Sequence, residues 1–260
     1  KVSYDNTSRL LDMLIAHDVK ATMFILGKFA KKFPRIIKRM EEEGHEIACH
    51  GYEHIEVFKQ SKNQFKNDVY KSKSLLEDLI GKKVTGYRAP DFSIVKESLW
   101  ALEILFNLGF NYDSSIFPIK HNRYGIKHWP TEIKKVNINK HESIIEIPLS
   151  TISFNSINLP VSGGGYFRLL PKHLFSFVAK KILKQRPFIF YGHPYELNPY
   201  ELKDTELEIP FLYKVHQNLG RKFVANRLEN LLKNFKINTI SQYINNKVVN
   251  FPKYDLNIYY

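Results

Sequence analysis

The sequence predicts an α/β fold in which parallel strands alternate with helices, and three observations support this. Short apolar segments bounded by turn residues alternate with longer segments of helical period along most of the 260 residues. Helices of this length between strands require parallel pairing with right-handed crossovers. Polar candidate residues follow the strand segments, where side chains of a barrel or a doubly wound sheet converge. We therefore expect one of these two architectures, with a single polar mouth.

The elements of the first half follow from apolar spacing and from helix stops. A helix is predicted to begin near Thr7, because Asn6, Thr7 and Ser8 are capping residues. Apolar residues at helical spacing predict two further helices, which end at Gly44 and Gly81. Short apolar runs predict strands between these helices. The predicted strands are 21–26, 46–49 and 84–87.

The second half continues the alternation less regularly. Helices are predicted at 98–108, 171–183 and 228–235. The predicted extended segments are 110–112, 144–148, 188–191 and 237–240. Gly163–Gly165 predicts a flexible loop. Because no repeat or linker interrupts the pattern, we expect one domain over residues 1–260, with a C-terminal extension from about residue 200.

Composition limits the classes of protein that this chain resembles. Its 43% hydrophobic and 25% charged residues are typical of a globular chain. No apolar run approaches the roughly 20 residues that a transmembrane helix needs. The net charge of +13 favours anionic partners, but the lysines are scattered and no nucleic-acid-binding motif accompanies them. We therefore predict no nucleic-acid partner and no transmembrane segment, and the sequence leaves the compartment open.

Two histidines four residues apart, His50 and His54, are the clearest candidates for chemistry. Two imidazoles at this spacing can face one cation from a single turn. A hydrolytic metal site also needs a third or acidic ligand and an open position for water. The structural alternative is that His50 ends a buried strand and His54 lies on the surface. Spacing alone does not choose between these interpretations.

Five motifs occur in order along the chain. They are 50–54 (HGYEH), 86–93 (GYRAPDFS), 112–118 (YDSSIFP), 163–168 (GGGYFR) and 191–196 (YGHPYE). Together they resemble the polysaccharide deacetylases with the NodB homology domain, in the branch found with exopolysaccharide gene clusters. The resemblance covers about residues 6–240, and five ordered motifs are more specific than any one of them. It implies a distorted (β/α) barrel of about seven strands.

The resemblance also implies a role for each motif residue. His50 and His54 would bind a divalent metal, namely Zn²⁺ or one of Co, Ni, Mn and Fe. His193 would be the catalytic acid that protonates the departing amine, and Arg88 would orient the base. The substrate groove would be lined by Pro90, Phe92, Asp113, Tyr166 and Arg168.

Each of these residues also has a structural interpretation. Arg88 before Ala-Pro is compatible with a surface arginine, and Asp113 with a helix cap or turn residue. Aromatic residues at strand ends, such as Phe92, more often complete the packing of a core than bind sugar. The choice depends on whether the motifs meet in space.

The base and third metal ligand of the family are not found in this sequence. The resemblance places an Asp-Asp or Asp-Glu pair on a first strand, upstream of the helix that begins near Thr7. Asp5, the one acidic residue before that helix, lacks the apolar strand that would direct it into a barrel mouth. We expect the first strand and its carboxylates to lie outside these 260 residues. The alternative is that the protein has lost them.

The expected function is therefore metal-dependent hydrolysis of N-acetyl groups on an amino-sugar glycan of a cell wall or exopolysaccharide. This would make the chain a hydrolase of carbon-nitrogen bonds other than peptide bonds, with an acetylated amino-sugar glycan as its partner. Two alternatives stay open: a catalytically inactive glycan-binding or assembly protein, and an amidohydrolase of a non-sugar amide. A homo-oligomer is compatible with the sequence.

Overall fold

A seven-stranded sheet with helices packed against it forms the centre of the molecule. The computed structural model describes residues 2–121, 123–155, 157–200, 218–246 and 251–259. Over these ranges, no helix is both long enough and apolar enough to cross a membrane. The α-helices are α1 (Val2–Ala16), α2 (Gly27–Lys32), α3 (Pro34–Glu42), α4 (Lys62–Ile80), α5 (Trp100–Asn107), α6 (Gly164–Leu169), α7 (Lys172–Leu183), α8 (Val224–Asn234) and α9 (Ile240–Asn246).

The strands divide between this sheet and a separate hairpin. They are β1 (Thr22–Ile25), β2 (Glu46–Cys49), β3 (Gly86–Tyr87), β4 (Tyr112–Asp113), β5 (Lys134–Asn137), β6 (Ser143–Glu146), β7 (Thr151–Phe154), β8 (Ile157–Pro160) and β9 (Lys253–Tyr254). The sheet has the order β1-β2-β3-β4-β6-β5-β9, and β7 and β8 form the hairpin. Every pair in the sheet is parallel except β5 with β6.

The register of the parallel strands brings their carboxyl ends into one row. Cys49 lies opposite Tyr87, Tyr87 opposite Asp113, and Asp113 opposite Glu146. Because the residues after these strand ends leave the sheet at the same edge, segments far apart in sequence meet there. The predicted parallel α/β sheet of about seven strands is confirmed.

The sheet is open in the part of the chain that the structure describes. Strands β1 and β9 are its two edges, and no described strand joins them into a closed barrel. The 188–191 segment, predicted as a buried strand, makes only an isolated bridge from Tyr191 to Gly163. Its side chains are half-buried. A continuous ladder needs a neighbouring strand along its whole length, and none of the described strands lies there.

Helix α4 shows how local sequence sets the ends of an element. The Ser61 side chain accepts a hydrogen bond from the Gln64 N–H at 3.3 Å, and the Gln64 side chain accepts one from the Ser61 N–H at 2.8 Å. This reciprocal pair is a capping box. The helix ends at Gly81, whose φ of +67° is left-handed. The predicted stop at Gly81 is confirmed.

The core lies between the sheet and the helices. Phe65 of α4 packs edge-on against Tyr87 of β3 at a ring-centroid distance of 5.8 Å, and Tyr87 packs against Phe110 at 5.8 Å. Leu228 and Leu231 of α8 belong to the same buried cluster. The segment 201–217, where the predicted extension begins, lies outside the described residues, so the single domain with an extension stays a prediction.

Three local predictions are wrong. The first helix begins at Val2 rather than near Thr7, because the Thr7 hydroxyl donates to the Ser3 carbonyl at 2.8 Å within the helix instead of capping it. Only Gly163 of the glycine run is extended, since α6 begins at Gly164. The predicted strand 237–240 is not formed, and Ile240 instead begins α9.

Candidate functional site

The candidate site lies at the carboxyl ends of the parallel strands. His50 directly follows β2, Arg88 follows β3, and Asp113 and Glu146 end β4 and β6. Phe92, in the turn after β3, contacts the Tyr191 ring at a centroid distance of 4.9 Å. Tyr191 is two residues before His193, so the last motif reaches the same end of the sheet. The structure therefore brings the predicted catalytic and metal-binding motifs together.

His50 is held in one orientation by the backbone. Its N–H donates to the Ile25 carbonyl at 2.9 Å, and its ring Nδ1 lies 2.7 Å from the Arg88 carbonyl oxygen. A carbonyl only accepts, so Nδ1 carries the proton and Nε2 keeps its lone pair. Burial lowers the pKa of His50 to about 3, and the positive charges of His54, Arg88 and His193 contribute to this lowering. His50 is therefore neutral at physiological pH.

His54 faces His50 across the turn between β2 and α4. The two ring centroids are 5.4 Å apart, with the rings edge to face. His54 is exposed and has a left-handed φ of +63°. Asp68 of α4 holds this turn by accepting from the Tyr52 N–H at 2.7 Å and from the Glu53 N–H at 3.2 Å. The turn therefore presents both imidazoles at one place.

The two imidazoles suit a divalent metal as part of a ligand set. A ring nitrogen that donates to a backbone carbonyl, as Nδ1 of His50 does, is the usual second contact of a metal-ligating histidine. Among the described residues, no third His, Cys, Asp or Glu joins them to form a complete metal group. The residues present thus fit two ligands of such a site, and their assignment as metal ligands stays a prediction.

Arg88 is buried below the histidines. Its Nε donates to the Ser114 carbonyl at 2.8 Å, and its Nη2 donates to the Ser114 hydroxyl at 2.7 Å. Its guanidinium lies 4.1 Å from the centroid of the Phe24 ring. Burial lowers the pKa of Arg88 to about 10, so it stays positively charged at neutral pH. The interpretation of Arg88 as a surface residue is wrong, because only 8% of it is exposed.

Asp113 and Glu146 form a buried carboxyl pair beside Arg88. Both are fully buried. Asp113 accepts from the Ser115 hydroxyl at 2.5 Å and from the Ser115 N–H at 3.1 Å, and Glu146 accepts from the Ile116 N–H at 3.1 Å. Burial and the neighbouring Asp113 carboxylate raise the pKa of Glu146 well above its usual value. Burial also raises the pKa of Asp113, and hydrogen bonds from Ser115 and the charge of Arg88 oppose this shift, so the proton of the pair resides mainly on Glu146.

His193 lies at the mouth of the site with a carboxylate behind it. About half of its side chain (51%) is exposed, and its Nδ1 is 3.7 Å from the Glu196 carboxylate. Its ring stacks on Tyr195 at a centroid distance of 5.1 Å. Burial opposes ionisation of Glu196, but hydrogen bonds from His193 and the charges of His193 and Arg168 outweigh it, so the pKa of Glu196 lies below its usual value. Glu196 is therefore ionised beside the His193 ring.

The predicted substrate residues separate into two groups. Tyr166 is exposed and Phe92 is partly exposed, as a groove would require. Pro90, Asp113 and Arg168 are buried, with Arg168 Nε 3.8 Å from the Glu196 carboxylate. These positions support Asp113 and Arg168 as residues that position their neighbours rather than contact a substrate.

Sequence reasoning missed three residues of the site: Ser114, Glu146 and Glu196. Glu196 lies within a quoted motif, and its position three residues after a candidate acid was the available signal. Glu146 follows an apolar run, and only the register of β4 with β6 brings it to Asp113. Ser114 also lies within a quoted motif, but its bond to Arg88, 26 residues earlier, has no counterpart in the spacing of the sequence.

Two family profiles together match most of this chain. The profile described as Polysaccharide deacetylase matches residues 2–112. The profile described as Domain of unknown function (DUF3473) matches residues 114–245. The boundary falls at the carboxyl end of β4, so both matches contribute residues to the site.

Curated sequences resemble part of the chain. The peptidoglycan-N-acetylglucosamine deacetylase of Bacillus cereus is 40% identical over 98 residues, which are 37% of this chain and 36% of that protein. The peptidoglycan deacetylase of Helicobacter pylori is 34% identical over 118 residues, which are 45% of this chain and 38% of that protein. The chain therefore spans little more than a third of these curated relatives.

Solved structures share the fold over nearly the whole chain. A protein from Mycobacterium smegmatis assigned as a polysaccharide deacetylase has a TM-score of 0.61 at 18% identity, over 93% of this chain and 76% of its own. A CE4 family pseudoenzyme from Bacillus anthracis has a TM-score of 0.51 at 16% identity, over 97% and 65%. At these identities the likeness concerns the fold.

Proposed function

Because the chain belongs to the polysaccharide deacetylase family, joined to the DUF3473 domain, we propose that the protein removes N-acetyl groups from an amino-sugar glycan in a metal-dependent reaction. The observation that carries the proposal is the meeting of His50, His54 and His193 at one end of the sheet, where His193 contributes to the electrostatic environment of His50. The substrate class follows from the relatives, which are named peptidoglycan deacetylases.

In this proposal His50 and His54 hold a divalent metal. The Nε2 lone pair of neutral His50 is available because Nδ1 is bonded to the Arg88 carbonyl. When bound, the metal supplies Lewis-acid polarisation of the acetamide carbonyl. Among the described residues, no carboxylate completes this ligand set.

His193 supplies the proton for the departing amine. An amide nitrogen leaves poorly unless it is protonated, so a positioned acid beside it accelerates cleavage. The half-exposed ring of His193 can reach a bound substrate, and the ionised Glu196 carboxylate lies 3.7 Å from its Nδ1. Tyr195 stacks on the same ring and limits its rotation.

Arg88 holds two parts of the site in place. Its guanidinium is fixed on Ser114, while its own carbonyl holds His50. One residue thereby joins the strand that carries the imidazole to the loop after β4. The negative charge of Asp113 compensates the buried guanidinium.

The test measures acetate release from oligomers of N-acetylglucosamine by the full-length protein, after chelation and after Zn²⁺ is restored. We expect release that depends on Zn²⁺, loss of bound metal and activity in His50→Ala, and a decrease of about 10²-fold to 10⁴-fold in His193→Ala with metal retained. His141→Ala changes an exposed histidine outside the site and serves as the control.

Two results would contradict this proposal. Full activity of His50→Ala would remove the metal site from the mechanism. Tight binding of the oligomers by the full-length protein without acetate release would instead indicate a glycan-binding protein.

A further inference from the structure

The hairpin of β7 and β8 exposes large apolar side chains on one face. Phe154 lies opposite Ile157, and Ile152 lies opposite Leu159. Residues that are directly paired, or two apart in a strand, point to the same side of the sheet. All four side chains therefore share a face, on which Phe154 is 68% exposed and Ile157 is 63% exposed. Burial of these groups away from water would be favourable.

This face is continuous with helix α7. Ile152 packs in a cluster with Val178 and Ile182 of α7. Arg186, just after α7, donates from Nη2 to the Thr151 carbonyl at 2.6 Å and from Nη1 to the Thr131 hydroxyl at 2.9 Å. The hairpin is therefore attached to α7 through Ile152 and Thr151, while Phe154 and Ile157 stay exposed.

Helix α7 is apolar on its outer surface as well as on its buried side. Its inner stripe is Phe175, Val178, Ala179 and Ile182. On the outer side, Leu174 and Phe177 are three residues apart and both exposed, Phe177 to 64%. Lys180, Lys181 and Lys184 continue the same outer surface and are exposed.

The Lys and Arg side chains of the segment 147–195 have no acidic residue within that segment. Residues 147–195 contain six Lys or Arg residues and no Asp or Glu. The acidic residues that bound this stretch, Glu146 and Glu196, are both buried. Lysines on the outer surface of α7 therefore have no carboxylate from this segment to neutralise them.

We propose that this surface docks on an anionic lipid bilayer. The apolar-basic surface consists of the outer side of α7, which carries Leu174, Phe177, Lys180, Lys181 and Lys184, and of the exposed side chains of the adjoining hairpin, Phe154, Ile157 and Leu159. Aromatic and aliphatic groups enter the interface between headgroups and acyl chains, while lysines extend their ammonium groups to anionic headgroups.

The charge pattern favours a bilayer over a second copy of the chain. A two-fold interface places the same patch on both sides, so it would bring the three lysines of α7 and their three copies together without a carboxylate from this surface. A soluble acidic polymer would satisfy the lysines but would leave Phe154 and Phe177 in water. An anionic membrane satisfies both kinds of side chain.

Docking would also orient the candidate site. Strand β8 leads to Gly163, which pairs with Tyr191, two residues before His193. The mouth of the site is therefore linked through a short, fixed connection to the membrane-facing surface. The docking proposal does not depend on the proposed chemistry and applies equally to an inactive protein.

The experiment measures cosedimentation of the full-length protein with vesicles of phosphatidylcholine alone and of equal parts phosphatidylcholine and phosphatidylglycerol. We expect binding to the anionic vesicles that weakens with salt. Phe154→Ser/Phe177→Ser should reduce binding by about tenfold or more. Lys180→Glu/Lys181→Glu should reduce it similarly, because two attractive charges become repulsive.

Matched variants on helix α4 test whether this surface is specific. Tyr70→Ser removes an aromatic ring that is 61% exposed, and Lys62→Glu/Lys66→Glu makes the same charge change. Both should bind as the wild type does, and circular dichroism checks that every variant is folded. Equal binding to both vesicle types, absence of binding, or equal loss in the α4 variants would overturn the proposal. So would a dimer without vesicles that Phe154→Ser/Phe177→Ser abolishes.

Discussion

At the scale of single residues, the site depends on groups that are kept in one protonation state. His50 is neutral because partial burial disfavours its charged form more than the bond to the Arg88 carbonyl favours it. Glu146 is protonated because water is excluded and Asp113 is its neighbour. Glu196 is ionised because basic groups surround it. Three titratable residues thus differ in state although they lie at one end of one sheet.

Glu146 predicts a pH-dependent stability. Its folded pKa lies well above the usual 4.5, so above that pH the native state holds a proton that the unfolded chain releases. The free energy of unfolding therefore falls as pH rises, by up to about 1.4 kcal/mol per pH unit for one proton. Glu146→Gln keeps a neutral hydrogen-bonding group and removes this dependence. We expect the stability of the variant relative to wild type to increase from about pH 5 to about pH 8.

Urea unfolding across this pH range measures the effect. Glu97→Gln alters an exposed glutamate and should leave the wild-type slope unchanged. Parallel stability curves for Glu146→Gln and wild type would show that Glu146 ionises normally in the native state.

At the scale of elements, a close approach of two backbones requires glycine at Gly163, directly before α6. A Cβ on Gly163 would lie 1.8 Å from the Tyr191 carbonyl oxygen, whereas a Cβ on Gly165 would meet nothing nearer than 3.7 Å. The bridge between Gly163 and Tyr191 holds the segment that carries His193. The space at Gly163 is therefore a condition for the geometry of the site.

We expect Gly163→Ala to lower the free energy of unfolding by about 3 kcal/mol or more, because a backbone oxygen cannot move aside as a side chain can. Gly165→Ala is the matched control, because it makes the same substitution where a Cβ has space. It should change the free energy of unfolding by less than about 1 kcal/mol. Chemical denaturation compares the two. Equal stability of both variants would show that the bridge yields easily.

Elements with strong local signals were predictable from the sequence. Strand 46–49 and the helix stop at Gly81 were correct, because apolar runs and a left-handed glycine act locally. The start of α1 was not predicted correctly. A threonine can cap a helix, but it can also donate its hydroxyl to a carbonyl one turn earlier within a helix, as Thr7 does. The β7–β8 hairpin was missed because its apolar residues do not all face the core.

The candidate site was predictable only where motifs carried it. The motifs brought His50, Arg88 and His193 together correctly in space. The buried pair of Asp113 and Glu146 depends on strand register, which no spacing in one sequence reveals.

At the scale of the whole molecule, Glu46 connects the sheet to the C-terminal helix α9. Its carboxylate accepts from the Thr22 hydroxyl of β1 at 2.6 Å, from the Tyr112 hydroxyl of β4 at 2.7 Å, and from the Ser241 N–H of α9 at 3.0 Å. The Ser241 hydroxyl is a further donor. Segments almost 220 residues apart are thereby joined at one side chain.

Removal of this carboxylate should weaken the whole fold. Glu46→Ala leaves several partly buried donors unsatisfied, so we expect the free energy of unfolding to fall by about 3 kcal/mol. Differential scanning calorimetry measures the loss, and Glu42→Ala, at an exposed position of α3, is the control. A change below about 0.5 kcal/mol would indicate that water replaces these bonds.

The lone cysteine gives the molecule an intrinsic reporter. Cys49 is fully buried in β2, between its two neighbouring strands, and burial raises the pKa of its thiol to about 11. Thiol reagents attack the thiolate, so the native protein resists alkylation. A maleimide would label only molecules in which the sheet has opened around β2. The labelling rate would then follow the rare openings of this part of the sheet without any engineered probe.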